Sequence, residues 1–311
     1  MDLVSRLIEE FPFSEREVLG LIRSAPDRYK VHFIEKRNGR GLRLIAQPTA
    51  EIKLLQRWAL SQYIEALPVH EAAVAYQRGR SILHHATQHA GQAYLLKLDF
   101  RDFFPSILGV HLHAHLVVYS DIRPDDIAAL VRLFCWRRKP AGKLRLSIGA
   151  PSSPAISNTV MYQFDLKVSE YCSGVGVNYT RYADDLAFST NSPKVLDGVY
   201  GFVRQLCKDI AYPKLMLHSG KTVFTSKKRN RQLTGLVLTN EGGVSLGRER
   251  KRELRAMVHR ASLGQLDQES MQRLRGLLAY VRSVEPEFLV AVERMIGKDA
   301  LMAIVRLQPN K

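Results

Sequence analysis

Cysteine is scarce in this chain. Three are spread over 311 residues, Cys135, Cys172 and Cys207, and none forms a CxxC pair. An odd number so far apart gives neither a disulfide framework nor a zinc knuckle, so they read as small residues inside a reduced cytosolic protein. Long apolar runs are missing too: no stretch of about 18 apolar residues is present to span a bilayer. The N-terminus, MDLVSRLIEEFPF, has acids where a signal peptide carries bases, and it lacks a long apolar core. The expected location is therefore cytoplasmic. No internal repeat or low-complexity segment breaks the sequence. A composition of 46% hydrophobic and 24% charged residues reads as globular, long enough for a substantial core and two or so domains.

Acidic residues are also in short supply, 30 against 46 Lys and Arg, for a net charge of +16. So large a surplus points to a polyanionic partner, and with no spanning segment nucleic acid fits better than a membrane. The surplus is uneven: residues 221–260 hold eleven Lys/Arg against three acids, a net of +8 and half the total. A solvated helix face is the bland account of a charge run. An excess this one-sided fits phosphate contact better.

Local patterns place the elements. Ser14 and Glu17 form a capping box before EVLGLIRS, and the first thirty residues read as helical. YKVHFIEKRNGRGLRLIAQP reads as a hairpin turning at Asn38-Gly39 and closed by Pro48. Helical spacing of Ile52, Leu55, Ala59 and Tyr63 predicts a helix over 49–67, and a short one is expected at 81–90. AYLLKLDF is a buried-strand pattern ending on Asp99. Helices are expected at 109–119, 124–136, 153–173 and 192–210, and again from Arg248 onward. Strands are expected on either side of Asp184-Asp185 and near 215–225 and 232–239. Strands and helices without strict alternation predict an α+β fold around an antiparallel sheet. The turn-rich TNEGGVSLG marks a boundary near 240–247.

The adjacent carboxylates Asp184 and Asp185 sit between two apolar strands in YTRYADDLAFS. An Asp pair in a turn is ordinary by itself, because Asp favours turns. Two adjacent anions repel, however, and a cation relieves them. Asp99 ends another buried strand, and if the two strands are neighbours three carboxylates converge. That is the oxygen set Mg²⁺ prefers, and two such ions about 3.5–4 Å apart carry out in-line phosphoryl transfer. A basic chain with such a site points to nucleotidyl transfer on nucleic acid.

LLKLDFRDFFPSI (95–107), GAPSSPAISN (149–158) and YTRYADDLAFS (179–189) together resemble the palm of reverse transcriptases. RQLTGLVLT (231–239) resembles the VTG segment of retron reverse transcriptases, with Leu233 for Val, and HHATQH (84–89) resembles their NAxxH signature. The resemblance runs from about Lys36 to Arg260, and the four blocks at 95–107, 149–158, 179–189 and 231–239, in the right order and spacing, make it specific. It implies a right-hand polymerase: N-terminal helices and fingers at 1–90, a palm with an antiparallel sheet at 91–240, and a helical thumb at 241–311.

By the same resemblance Asp99, Asp184 and Asp185 are metal ligands for two Mg²⁺, with Mn²⁺ a substitute. Lys221 matches a lysine that protonates the departing pyrophosphate. Arg43 and Lys36 match residues gripping the incoming dNTP triphosphate, which suits bidentate arginine contact. Phe104, which by spacing alone reads equally as core, matches a steric gate against the 2′-hydroxyl. Tyr182 would lie by the primer end, and Gly149 through Pro154 under the nascent base pair, where glycine lets the backbone come close. Lys227, Lys228, Arg229, Arg231, Arg248, Arg252 and Arg255 are the expected nucleic-acid contacts. Ile148 stands where the family often has Gln, which leaves a nucleotide contact open; His85 stands for the Asn of NAxxH, while His89 fits it.

The implied function is reverse transcription of a structured noncoding RNA, primed from a guanosine 2′-hydroxyl, into branched multicopy single-stranded DNA. An accessory effector and a role against phage go with it. After the thumb no acidic cluster suits RNase H, so a host RNase H is expected to remove template, and no endonuclease-like extension is expected. Two other readings remain: a nucleic-acid scaffold holding an effector, and an RNA-dependent RNA polymerase.

Three further patterns invite function. His111 and His115 in HLHAHL would share a helix face suited to zinc, but no third ligand is evident, and partly exposed histidines are expected. RNGRG (37–41) lacks the GK[ST] ending of a P-loop and reads as a mobile hairpin tip. GRERKRELRAMVHR has Leu254, Met257 and Val258 on one side and arginines on the other, which reads as a thumb helix along a duplex rather than a membrane helix.

Overall fold

The computed structural model describes residues 1–36, 39 and 41–306. Helices α1 (Leu3–Glu10) and α2 (Glu15–Ser24) open the chain, and α2 starts at the capping box, Ser14 Oγ accepting from Glu17 N while Glu17 accepts from Ser14 N. Strands β1 (Tyr29–Glu35) and β2 (Leu42–Pro48) pair antiparallel from Tyr29↔Pro48 to Glu35↔Leu42. Gly39 has φ +63, as the turn requires; Arg37, Asn38 and Arg40, and with them the rest of the expected tip, lie outside the described residues. Helix α3 (Ala50–Ala59) runs into a π turn over Leu60–Ile64, and α4 (Ile82–Ala90) is capped by Ser81.

The central sheet has the order β4-β5-β3-β6 and is antiparallel throughout. Its strands are β3 (Tyr94–Asp99), β4 (Asn178–Tyr182), β5 (Asp185–Thr190) and β6 (Val223–Ser226). Alternation along β3 sends neighbouring leucines to opposite faces. Leu96 and Leu98, with Leu186 and Phe188, enter a core shared with helices α5 (Phe103–Ser106), α6 (Gly109–Tyr119), α7 (Pro124–Phe134), α8 (Ser153–Val160), α9 (Tyr162–Gly174) and α10 (Val195–Asp209). Leu95 and Ala187 face a second core.

That second core joins α4 to a small sheet of β7 (Arg231–Leu233), β8 (Leu236–Leu238) and β9 (Val244–Ser245), and to helices α11 (Arg248–Ser262), α12 (Gln268–Val284), α13 (Glu287–Ile296) and α14 (Lys298–Val305). The turn-rich 240–247 stretch links β8 to β9 within this unit, with Leu238 opposite Val244.

Three expectations need correction. The helix over 153–173 opens at Met161 into α8 and α9, though Met161 N still reaches Ser157 O and Asp165 N still reaches Met161 O. The strand near 215–225 is mostly irregular: a 3₁₀ turn at Ser219–Lys221 precedes β6, and among the described residues only the Phe100–Leu217 bridge extends the pairing. His111 and His115 are buried rather than partly exposed. His115 Nε2 pairs with Thr159 Oγ1 at 2.7 Å, and His111 Nδ1 accepts from Leu108 N at 3.1 Å, so each imidazole fixes a helix. The three cysteines are free and buried.

Candidate active site

The antiparallel register sets Asp99, the last residue of β3, opposite Asp185, the first of β5. Tyr182 ends β4 opposite the same Asp185, so the β4–β5 turn, Ala183-Asp184, projects from the same sheet end. Ala183 adopts φ +57, and Phe100 N donates to Asp184 O at 3.1 Å, which ties the turn to the residue after Asp99.

Three carboxylates crowded at one edge disfavour ionisation. Asp184 is pushed up chiefly by burial and then by Asp99. Asp185 is raised to about 7 by loss of surrounding water, then by Asp184 and Asp99. Asp185 keeps a solvent-exposed surface, where water screens part of that push. Lys221 Nζ donates to both oxygens of Asp99 at 2.8 Å. The 3₁₀ turn supplies it, held because His218 N donates to Asp99 O at 2.7 Å. A strand continued through 215–225 would carry Lys221 elsewhere.

Hard carboxylate oxygens carrying surplus negative charge suit a divalent cation. Among the described residues no three His, Cys, Asp or Glu side chains close around one point as they stand, and both Asp99 oxygens are engaged by Lys221. The donor chemistry fits a cation, which Asp99 would hold in place of its ammonium partner.

The hairpin meets this edge through residues 148–149. Ala46 N donates to Ile148 O at 2.9 Å. Gly149 has φ +122, and a Cβ there would lie 3.0 Å from Gln47 Cγ and 3.1 Å from Ala46 O. Arg43, Ile45 and Gln47 share one face of β2, and Arg43 is near enough to Asp184 to lower its pKa against the burial. Lys36 follows β1, exposed, its N–H on Gly41 O at 3.0 Å. Phe104 is half-buried in α5 beside Phe103, which stacks on Phe100.

Residues 34–238 match the family described as reverse transcriptase (RNA-dependent DNA polymerase). The chain is 39% identical to the retron Ec83 reverse transcriptase of Escherichia coli over 292 residues, 91% of this chain and 92% of that protein. It belongs to the retron reverse transcriptases. It is also 30% identical to the Escherichia coli retron Ec86 reverse transcriptase, over 90% of this chain and 86% of that one. Telomerase from Candida albicans, solved with a telomeric RNA fragment, superposes with a TM-score of 0.51 at 13% identity, over 95% of this chain and 60% of that one. Apo telomerase from Candida tropicalis gives 0.51 at 10% identity, over 89% and 60%. The shared fold is the right-hand polymerase, and the enzyme is an RNA-directed DNA polymerase.

In this reverse transcriptase Tyr182 is half-buried, its ring 5.7 Å from that of His85. His85 Nδ1 and His89 Nε2 both meet Thr180 Oγ1 at 2.7 Å, and His89 Nδ1 meets Ser189 Oγ at 2.7 Å. The residue replacing Asn in the NAxxH signature therefore does make a hydrogen bond. Burial lowers the pKa of His85 to about 4 and that of His89 to about 3, so both are neutral near pH 7.

The basic residues separate in space. Lys228 and Arg229 are exposed in the β6–β7 turn, with Lys227 half-buried beside them. Arg248, Arg252 and Arg255 are exposed on α11, whose other side buries Leu254, Met257, Val258 and Ala261. Arg255 rests its guanidinium 5.2 Å from the Phe288 ring centre. Arg231 departs from the expected nucleic-acid face: it is 1% exposed, and its guanidinium donates to the carbonyls of Gln92 and Thr239, the latter at 2.7 Å. A side chain closing the small sheet against the β3 entry has no donor facing solvent. Among the described residues no helix is long and apolar enough to cross a membrane.

Two features escaped the sequence reading. Arg181, just before Tyr182, is fully buried against Asp165. Its signal was β4 alternation, which puts Arg181 on the inner face opposite Tyr182. Tyr76 adopts φ +62 and is 52% exposed, at the end of a segment whose Ala73 pairs in parallel with Arg181, and it lies near enough to Asp184 for that carboxylate to add to the burial that raises its pKa.

Proposed function

We propose that this enzyme copies a structured noncoding RNA from a guanosine 2′-hydroxyl primer into branched multicopy single-stranded DNA, in the cytoplasm, within an anti-phage system that includes an accessory effector. The observation that carries the polymerase chemistry is the register of Asp99 against Asp185 with Lys221 on Asp99. Family membership and the relatives' retron character support the substrate class. Asp99, Asp184 and Asp185 are the proposed ligands of two Mg²⁺ ions, with Mn²⁺ able to substitute; bound there, the ions supply charge stabilisation at the reacting phosphate oxygens.

The chain's own residues do the remaining work in this reading. Arg43 and Lys36 hold the dNTP triphosphate, Arg43 by a bidentate grip. Phe104 closes the space a 2′-hydroxyl would fill. Gly149 lets the backbone approach the nascent pair, and Tyr182 flanks the primer end. Lys221 gives its proton to the departing pyrophosphate as general acid. Lys227, Lys228, Arg229, Arg248, Arg252 and Arg255 hold phosphates of template and product. Template removal falls to host RNase H.

The test is primer extension on an RNA template with Mg²⁺ and dNTPs, wild type beside Asp184→Asn/Asp185→Asn. Wild type is expected to make cDNA and the variant none. A wild type that binds RNA tightly yet makes no cDNA sinks the enzyme reading in favour of the scaffold, and rNTP use equal to dNTP use favours an RNA polymerase. Sequencing the nucleic acid that copurifies with the protein identifies the RNA, its branching guanosine and the DNA.

A further inference from the structure

We propose that Arg181 is a positioning residue for catalysis: its buried guanidinium holds the turn that carries Asp184 and Asp185. This rests on the catalytic reading of those carboxylates given above.

Arg181 and Asp165 are both fully buried and paired at 2.6 Å. Arg181 Nε also donates to Asp165 Oδ1 at 2.9 Å, and Tyr179 Oη donates to the same oxygen at 2.7 Å. Those contacts satisfy the carboxylate, but Nη1 turns elsewhere, to Asn158 Oδ1 at 3.2 Å and to the Ala183 carbonyl at 3.1 Å. Ala183 stands at φ +57, where a residue with a Cβ is strained and needs its surroundings to hold it. The Ala183 carbonyl belongs to the peptide plane leading into Asp184. The next carbonyl, that of Asp184, accepts from Phe100 N at 3.1 Å. The peptides on both sides of Asp184 are thus pinned, one from beneath by Arg181 and one from the end of β3, where Asp99 precedes Phe100. The spacing of Asp99 from Asp184 follows from these two bonds.

The backbone of the same residue, and the Asn158 it meets, reach the rest of the cleft. Arg181 N donates to Ala72 O at 2.7 Å, and Val74 N donates to Arg181 O at 2.8 Å. Asn158 Nδ2 donates to Ala75 O at 2.8 Å, and Asn158 lies on α8, the helix that continues the Gly149–Pro154 loop. A buried ion pair is weak evidence for a stabilising role, since well-packed apolar residues often replace one without loss. What apolar residues cannot do is hold the Ala183 carbonyl.

The experiment separates positioning from stability. Arg181→Met/Asp165→Asn removes both charges and keeps an acceptor for Tyr179. Arg181→Lys keeps the charge opposite Asp165 but lacks the fork needed to reach Ala183 as well. Each full-length variant is compared with wild type for Tm, RNA affinity, dNTP KM, single-turnover incorporation rate, and Mn²⁺ binding followed by EPR in the absence of nucleotide. The expected result is a folded protein with RNA affinity within about twofold of wild type and little change in KM. Incorporation falls about 100-fold, as a displacement on the order of 1 Å does in an active site. Mn²⁺ affinity falls about tenfold. A folded variant with incorporation and Mn²⁺ affinity within about threefold of wild type overturns the proposal. Loss of fold in both variants overturns it too, because Arg181 is then a stability residue. Asp184→Asn/Asp185→Asn in the same assay keeps the two ideas apart: if that variant stays active the catalytic reading falls, and if it is dead while the Arg181 variants work only the positioning role falls.

Discussion

Lys221 and Phe104 show how single side chains separate chemistry from stability. The Lys221 side chain is 55% exposed, and a half-exposed ion pair contributes about 0–1 kcal/mol. Lys221→Ala is therefore expected to leave Tm nearly unchanged while lowering the incorporation rate about 10²–10⁴-fold, the range for removal of a general acid; a pre-steady-state rate with a thermal melt checks both. An unchanged rate removes Lys221 from that role. Phe104 is wedged beside Phe103 yet only half-buried. Phe104→Ala is expected to reduce discrimination against rNTPs by about tenfold or more, the scale of one steric contact, measured as the ratio of kcat/KM for dNTP and rNTP. Selectivity that stays constant makes Phe104 a packing residue. The identity of the carboxylates was legible in the sequence because each ends an apolar run. Lys221 reached its partner through a 3₁₀ turn that no periodicity announces.

At the scale of elements, most helices and strands were legible because their signals are local. The Ser14 capping box, the Asp99 strand and the helix over 109–119 need only neighbouring residues to specify them. The replacement of a strand by a turn before β6 depends on a distant contact, His218 N on Asp99 O, while nothing in the local pattern announces the opening at Met161. Helix α11 shows the same division. Its apolar stripe was readable, but the cation–π contacts of Arg250 with Tyr280 and of Arg255 with Phe288 depend on how α12 and α13 fold back. Arg248 and Arg252 make no such contact among those described and are exposed. Arg248→Glu/Arg252→Glu is expected to weaken RNA binding and flatten its salt dependence by about one unit of slope for each phosphate no longer neutralised, read from Kd at several salt concentrations. An unaltered slope means this face points away from nucleic acid.

The whole molecule is organised by two hydrophobic cores on opposite faces of one sheet. Each buries imidazoles that are neutral in the fold: His85 and His89 are lowered to about 4 and about 3, chiefly by burial, and His115 to about 4 by the same cause. In the unfolded chain these groups take up protons near pH 6.5. Between about pH 6.5 and pH 4 the unfolded state thus binds more protons, and stability rises with pH. The contribution is fully present above about pH 6.5 and is lost on acidification through that window. Asp185, raised to about 7 in the fold, works the other way and gains stability as it protonates over the same window, so the fall in Tm expected from pH 7 to pH 5 is the net of three imidazoles against that carboxyl. His115 touches Thr159, Tyr119 and Tyr212, all neutral there, so His115→Gln is expected to make the decline shallower. An equal slope in wild type and variant rules out His115 as a source.

The sequence by itself determined the one-sided positive charge, and it set three aspartates at the ends of apolar strands. Both are properties of residue type and near neighbours. Only the tertiary structure decided that Arg231 faces inward while Arg229 faces water, that His111 and His115 brace helices, and that Arg181 lies beneath the Ala183-Asp184 turn. Those outcomes depend on which segments pack together across long stretches of chain, since burial and hydrogen-bond partners are set by neighbours in space.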